Sequence, residues 1–296
     1  MLEKEIYTCL HEDEEIQTLL ASYEGGSAIF HQMVPADTDA GWDGVQYPRI
    51  TYDVDTQSNP ERKNAGTLLV SIACKIDSTQ PEPIAKRVQA LLDGTLFTTD
   101  DGYTAAASWS RTDSFTQANT NAIPQIYGAD MEFELHDFPS PVLVGMDPLA
   151  LMNSYVKRLY PQAMVLHVDT LPAVFKPTND EPAIYWRVRS IGSDQQMIRY
   201  DTNMVTWMRA SLQCHVLAPS TQTRTNLIKG IAESLYETRE IAFPDQSPFL
   251  VRSLSGNTGA SPLRVGQLTL EGSYGVLRKL EGTPIRNISM RQENGI

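Results

Sequence analysis

Alternating apolar and polar residues predict short strands that lead into amphipathic helices. In "RITYDVD", Ile50, Tyr52 and Val54 share one face at a period of two, and "TLLVSIACKID" alternates in the same way. The next segment, "TQPEPIAKRVQALLDG", predicts a helix, because prolines stand in its first turn and Gly94 follows its last apolar residues. The first half of the chain therefore contains two strands followed by a helix.

The second half repeats this order. "AIYWRVRSI" and "VTWMRASLQCHVL" alternate as strands, and Ser220 and Thr221 offer caps for a helix with an apolar stripe. Four pairs of residues match at one offset: Cys74 with Cys214, Ile76 with Val216, Val88 with Ile228, and Leu91 with Ile231. This pattern predicts a tandem duplication. Chance is the alternative, because identity between the halves is low.

The remaining segments complete two units of one kind. A helix is predicted from Leu2 to Ser22, a strand at "SAIFHQMVP", and a polar, proline-rich loop at "LPAVFKPTNDEP". The prolines of "FPSPVLVGMDP" predict the boundary between domains 1–141 and 142–296. Each half has more strand than helix, so the predicted fold class is α+β: two similar domains, each an antiparallel or mixed sheet with two helices packed on one face.

Composition narrows the classes of function. The 296 residues are 41% hydrophobic, and the three cysteines (Cys9, Cys74 and Cys214) are far apart, which predicts neither disulfides nor a thiolate metal site. The N-terminus has no features of a signal peptide, and no apolar run reaches the ~18 residues of a membrane span. We expect assembly in a reducing cytoplasm without membrane contact. The net charge of −12, from 36 acidic and 24 basic residues, argues against a protein that grips nucleic-acid phosphates.

One acidic loop resembles the start of a calcium-binding loop. In "DTDAGWDG", Asp37 and Asp39 are spaced as the first ligands of such a loop, but Gly41 stands where a third oxygen ligand belongs. Trp42 stands where glycine is needed for the turn, and Pro48 stands where a bidentate glutamate would close the site. We therefore expect a solvated loop with an exposed tryptophan. An exposed tryptophan on a loop is also a common interface anchor, so an interaction site is the second interpretation.

Motifs for catalysis or cofactor binding are missing from the sequence. The histidines have no metal-ligand spacing, and four of them are expected inside sheets: His31, His136, His167 and His215. The charge run "HEDEE" predicts a solvated helix face, with a docking surface as the alternative. No phosphate loop, dinucleotide fingerprint or nucleophile elbow occurs. We therefore expect no enzymatic activity, no cofactor and no metal; an enzyme with a diffuse small-molecule site is the alternative.

Two polar loops occupy equivalent places in the halves, "TQSNPERKNAG" and "GSDQQMIRYDTN". They are interpreted as contacts between subunits or as plain solvated loops. The candidate interaction residues are Asn59, Glu61, Arg62, Lys63, Gln195, Gln196 and Arg199 in these loops, together with Asp37, Asp39, Trp42 and Asp43.

The order of elements in residues 1–138 resembles the tail terminator (tail completion) proteins of long-tailed bacteriophages. The residues that carry the resemblance are Tyr47, Pro48, Ile50 and Tyr52 in "YPRITYDVD", followed by the strand "LLVSIACKID" and the helix "IAKRVQALLDG". The second half matches more loosely, with "PAIYWRV" in place of the motif and no counterpart of Tyr47. Members of that family are typically one such unit, whereas this chain has two.

The resemblance implies a structural protein of the virion. In that family a homo-hexameric ring ends polymerisation of the tail tube and joins the tube to the head connector protein. Double-stranded DNA would pass through the ring without specific binding, so we expect an inner surface with an excess of Asp and Glu and no salt-sensitive DNA binding. The alternative is another neck or tail-tube component. Finding the protein along the tube, rather than at one position per tail, would select this alternative.

Overall fold

The computed structural model describes residues 1–56, 65–75, 78–117, 125–139, 146–202 and 204–277. The predicted boundary after residue 141 lies outside these residues. The elements of the first half are α1 (Leu2–His11), α2 (Glu14–Leu19), β1 (Ser22–Tyr23), β2 (Gly26–Ser27), β3 (Ile29–His31), β4 (Arg49–Thr56), β5 (Gly66–Lys75), α3 (Pro81–Leu92), β6 (Leu96–Thr98), β7 (Thr104–Gln117) and β8 (Ile126–Asp137). Those of the second half are α4 (Pro148–Leu159), β9 (Met164–Val165), β10 (Val174–Phe175), β11 (Ala183–Ser193), β12 (Val205–Leu217), α5 (Thr221–Thr238), β13 (Glu240–Ala242), β14 (Pro248–Gly256) and β15 (Leu268–Leu277).

The two large sheets have the same strand order. Six strands of the first run β3-β4-β5-β8-β7-β6, and the second runs β9-β11-β12-β15-β14-β13. In each sheet the first two strands are parallel, and the neighbours after them are antiparallel. A helix joins corresponding strands, α3 between β5 and β6, and α5 between β12 and β13. The predicted α+β class is confirmed, and the shared order is what a tandem duplication predicts.

Among the described residues, helices cover one face of each sheet and none lies on the other face. In the first unit, Ile6 and Leu10 of α1, Ile16 of α2 and Val88 of α3 are fully buried against strand residues such as Ile72. Burying an aliphatic side chain of this size contributes about 1.5–3 kcal/mol. The second unit has its own core, in which α4 and α5 pack on Trp186, Leu212 and Leu270.

The helix predicted from Leu2 to Ser22 is wrong in its continuity, because it divides at Asp13 into α1 and α2. Asp13 has extended backbone angles, and its carboxylate accepts a hydrogen bond from the Ile16 amide at 2.9 Å. The same carboxylate also accepts a hydrogen bond from Arg87 of α3, whose Nε lies 3.0 Å away. The hydrogen bond from Arg87 lowers the pKa of Asp13. Part of the predicted solvated charge run therefore fastens α2 to α3.

Replacing Asp13 by alanine is expected to lower the free energy of unfolding by about 1–3 kcal/mol. The substitution removes an N-cap, typically worth ~1 kcal/mol, and one of the two carboxylates that pair with Arg87, so that Glu15 alone is left. Asp13→Asn is the matched control, since asparagine caps helices as well as aspartate does but loses the charge and one of the two oxygens that accept from Arg87. Urea unfolding followed by circular dichroism measures both variants. Equal stability of Asp13→Ala and the parent protein would contradict the assignment.

The two units meet through a third apolar cluster and one shared sheet. Phe138 from the first half packs edge-on against Tyr185 of β11, with ring centroids 5.0 Å apart. Strand β10 pairs with β6, so a segment of the second half forms the outer strand of the first sheet. The sequence prediction of a loop across this segment is wrong for Val174 and Phe175. Two residues flanked by prolines are too short to show a strand period, and the pairing depends on the other unit.

Candidate interaction surfaces

The helix-free face of the first sheet is an acid-rich surface. Side chains alternate along β4, β5, β8 and β7, so the residues that do not enter the core face the opposite side. They line an open concavity of about 610 Å³ whose acidic members are Asp53, Asp113, Asp130 and Glu132. Arg111 is the basic side chain among them. Its Nε lies 2.8 Å from Glu132 and its Nη1 lies 3.4 Å from Asp113.

Like charges lie directly opposite each other on this face. Asp113 of β7 pairs with Asp130 of β8 across the strands, an arrangement that is unfavourable by a few tenths of a kcal/mol up to ~1 kcal/mol. Asp53 accepts a hydrogen bond from the side-chain amide of Gln32 at 2.9 Å. Four carboxylates and one guanidinium line the concavity, so its surface has a negative potential. A duplex phosphate backbone would be repelled here.

The helix-free face of the second sheet has a different balance. Arg209 forms an ion pair with Glu271, and the Arg252 Nε donates to Ser273 at 2.8 Å. Arg187 donates to the Asp137 carbonyl at 3.0 Å, across the junction between the units. Acidic side chains therefore outnumber basic ones in the concavity of the first sheet, whereas the corresponding face of the second sheet carries several arginines.

Trp42 is buried, so the expectation of an exposed tryptophan is wrong. Its side chain is only 8% exposed, and its ring packs edge-on against Tyr23 and Phe30, with centroids 5.0 and 5.7 Å away. The indole Nε1 donates to the Ala36 carbonyl at 3.0 Å. Trp42 thus holds its own loop onto the end of the first sheet. The sequence could not show this because the partner aromatics are 12–19 residues away in the chain.

The three aspartates of this loop face different partners. Asp37 forms an ion pair with Arg49 at 2.7 Å, and Asp39 accepts from the Tyr23 hydroxyl at 3.1 Å. Asp43 accepts from the Ser22 hydroxyl at 2.7 Å. Each carboxylate stabilises a different turn of the loop, and they do not converge on a common point. Throughout the described residues, no group of three or more His, Cys, Asp or Glu side chains is arranged to hold a metal ion.

The loop between β11 and β12 exposes its predicted residues. Gln195, Gln196 and Arg199 lie at the surface, and the Arg199 guanidinium stacks on Tyr200 at 4.8 Å. Asp194, which the sequence analysis did not single out, is buried and accepts hydrogen bonds from the Gln196 amide and the Ser273 hydroxyl. It anchors the loop to β15. The equivalent loop of the first half, between β4 and β5, holds the candidate residues Asn59, Glu61, Arg62 and Lys63, which lie outside the described residues.

Three histidines gather at the junction between the units. His215 of β12 is fully buried, its Nδ1 lies 2.7 Å from the Pro262 carbonyl, and its ring lies 5.7 Å from Tyr185. Burial lowers the pKa of His215 to about 4. Burial also lowers the pKa of His136 and of His167. The prediction of histidines within sheets holds for His215, His136 and His31, whereas His167 follows β9 in a positive-φ turn.

Comparison with known proteins finds no match: no family model fits this chain, and no curated protein is similar to it at a significant level. Among the described residues, no helix combines the length and apolar character that crossing a bilayer requires.

Proposed function

We propose that this chain is a structural virion protein that assembles into a ring at the head-proximal end of a phage tail. The ring ends polymerisation of the tail tube and joins the tail to the head connector. The observation that carries the proposal is the head-to-tail contact between the two units. The first unit contributes Leu96, Ala106 and Phe138, from its β6–β7–β8 side, and the second contributes Ala183 and Tyr185 from its β11 side.

A contact of this kind, made between the two units of one chain, is repeated from one copy of the chain to the next. Because the two units have the same strand order but use opposite sides, the side that each sheet does not use ends, among the described residues, at β3 in the first sheet and at β13 in the second. Joining the free side of one copy to that of the next generates either a closed ring or an open filament. A closed ring leaves no free edge strands, which fits a protein that ends polymerisation.

The acid-rich face of the first sheet lines the channel of the ring. The third apolar cluster joins the units on their helix-free faces, since Tyr185 belongs to it while Ile184 and Trp186 belong to the helix-side core. Continued around a ring, these faces form one inner surface, and the helices lie outside. Repulsion between Asp53, Asp113 and Asp130 and the phosphates lets a duplex slide past.

Assembly and location test the proposal directly. Negative-stain images of the purified protein, alone and mixed with isolated tails, are expected to show six-fold rings. Gold-labelled antibody on virions should mark one position per tail, at the head end. Label along the whole tube would favour a tube component instead, and a protein that stays monomeric with no ring in virions would overturn the proposal.

A further inference from the structure

The contact between the two units holds three imidazole rings beside its apolar side chains. His136 belongs to β8 of the first unit, whereas His167 and His215 belong to the second unit. The rings of His167 and His215 lie 5.5 and 5.7 Å from the ring of Tyr185. Phe138 of the first unit packs edge-on against His215, with centroids 6.2 Å apart. The imidazoles therefore lie where the two units meet.

Two of these rings are shielded from water and have one nitrogen without a hydrogen bond. His215 is fully buried, and His136 is only 4% exposed. Within the described residues, the Nε2 atoms of both rings have no hydrogen-bond partner. The Glu134 carboxylate lies 3.6 Å from Nε2 of His136, but it already forms an ion pair with Arg264. A proton added to either ring therefore creates a buried charge, which is costly when no free partner compensates it.

The charged groups that face the histidines already balance each other. The first unit supplies the carboxylates of Glu134 and Asp137, and the second unit supplies the guanidinium groups of Arg187 and Arg264. Tyr185 stays neutral, because burial raises its pKa. Every imidazolium that forms here adds a positive charge next to the two arginines. Protonation of rings from both units also places like charges on the two sides of the contact.

The cores of the two units lack this sensitivity. Among the described residues, neither core cluster contains a histidine. Carboxylates that tie elements together within each unit keep their charge, because hydrogen bonds from arginines lower the pKa of Asp13 and of Glu271. A lowered carboxyl pKa gives stability that is lost only below about pH 4. Between about pH 6.5 and pH 4, protonation therefore acts on the junction and not on the cores.

We propose that mild acid separates the two units at this junction while each unit stays folded. Phe138 and Tyr185 move apart, the edge of β6 loses β10, and the three imidazoles become hydrated and charged. The switch lies within one chain and does not depend on the proposed ring.

Proton binding determines how far the equilibrium shifts. Burial lowers the pKa of His215 to about 4, against about 6.5 for a ring in water. Between these values the open form binds more protons than the closed form, so acid favours opening. At pH 4.5, His215 alone shifts the equilibrium toward the open form by roughly 75-fold. Burial lowers the pKa of His136 and of His167 as well, which adds to the shift.

Distances within one chain test the opening. Spin labels on Lys86→Cys of α3 and Tyr236→Cys of α5 stand on exposed helix positions in different units. Labelled chains are diluted into unlabelled protein, so that only distances within a chain are measured. Between pH 7 and pH 4.5 the distance is expected to lengthen and its distribution to broaden, while far-ultraviolet circular dichroism stays unchanged.

A matched pair of labels stays within the first unit. Lys86→Cys and Leu69→Cys join α3 to an exposed position of β5, and their distance should not change with pH. Both labelled chains carry Cys9→Ser, since Cys9 is the native cysteine that is not fully buried.

A chain that cannot be protonated at two of the rings completes the test. In His136→Gln, His215→Asn the distance between the units should keep its pH 7 value to a lower pH than in the parent protein. If these substitutions open the junction at pH 7, imidazole proton resonances of the parent protein decide, because His136 and His215 should titrate at the same pH as the distance changes. An unchanged distance at pH 4.5, a loss of circular dichroism at the pH of opening, or imidazoles that titrate without a change in distance would each overturn the proposal.

Discussion

A chain with Asp53→Lys, Asp113→Lys and Asp130→Lys is expected to bind double-stranded DNA that the parent protein does not retain. The three positions line the same open concavity on the helix-free face of the first sheet. Each substitution exchanges a repelling charge for a phosphate partner, so three contacts per subunit are created. Three contacts from a single subunit give a slope of about −2.7 for log K against log salt, roughly 40-fold weaker binding between 50 and 200 mM salt, and every further subunit that contacts the duplex makes the slope steeper.

The topology of the DNA separates a channel from an outer surface. If this face lines the ring, the variant ring should retain linear duplexes, which can thread, and release small closed circles. The control variant Glu12→Lys, Glu14→Lys, Glu237→Lys adds the same charge on the exposed helix side and should bind both forms alike. Equal retention of circles and linear DNA by the concavity variant would exclude this face from the channel.

Regular alternation made the fold predictable from the sequence. Ile50, Tyr52 and Val54 of β4 are all buried, as their period of two indicates. The repeat was visible because apolar residues such as Cys74 of β5 and Cys214 of β12, both fully buried, recur within the same order of elements. Such patterns can be read from neighbouring residues alone, because alternate side chains of every strand enter the core.

The candidate surfaces were less predictable, because they depend on contacts between distant segments. The break at Asp13 had a readable signal, an aspartate whose carboxylate can cap the amide three residues later, but the helical period on both sides concealed it. Trp42 depends on Tyr23 and Phe30 for its burial, which no local pattern shows. The acid-rich face also stayed hidden, since Asp53, Asp113 and Asp130 come from three strands whose pairing had to be known first.

The junction between the units is expected to make the protein sensitive to mild acid. His215 is held neutral by burial, with a folded pKa of about 4 against about 6.5 in the unfolded chain. Between these values the unfolded chain binds more protons than the folded protein, so the free energy of unfolding rises with pH. Lowering the pH from 7 to 4.5 should therefore cost about 2–3 kcal/mol through His215 alone. The lowered pKa values of His136 and His167 act in the same direction.

A substitution that removes the titratable ring isolates this effect. His215→Asn keeps a side-chain donor for the Pro262 carbonyl but cannot be protonated, so its unfolding free energy should change far less between pH 7 and 4.5. The control is His31→Asn, an exposed position at the end of β3, which should keep the pH dependence of the parent protein. Urea unfolding at pH 7.0, 6.0, 5.0 and 4.5 measures all three chains. A parent protein whose stability does not fall over this range would show that the junction opens to water and that His215 is protonated in the folded state, and the two units would then not be held together by a dry apolar contact.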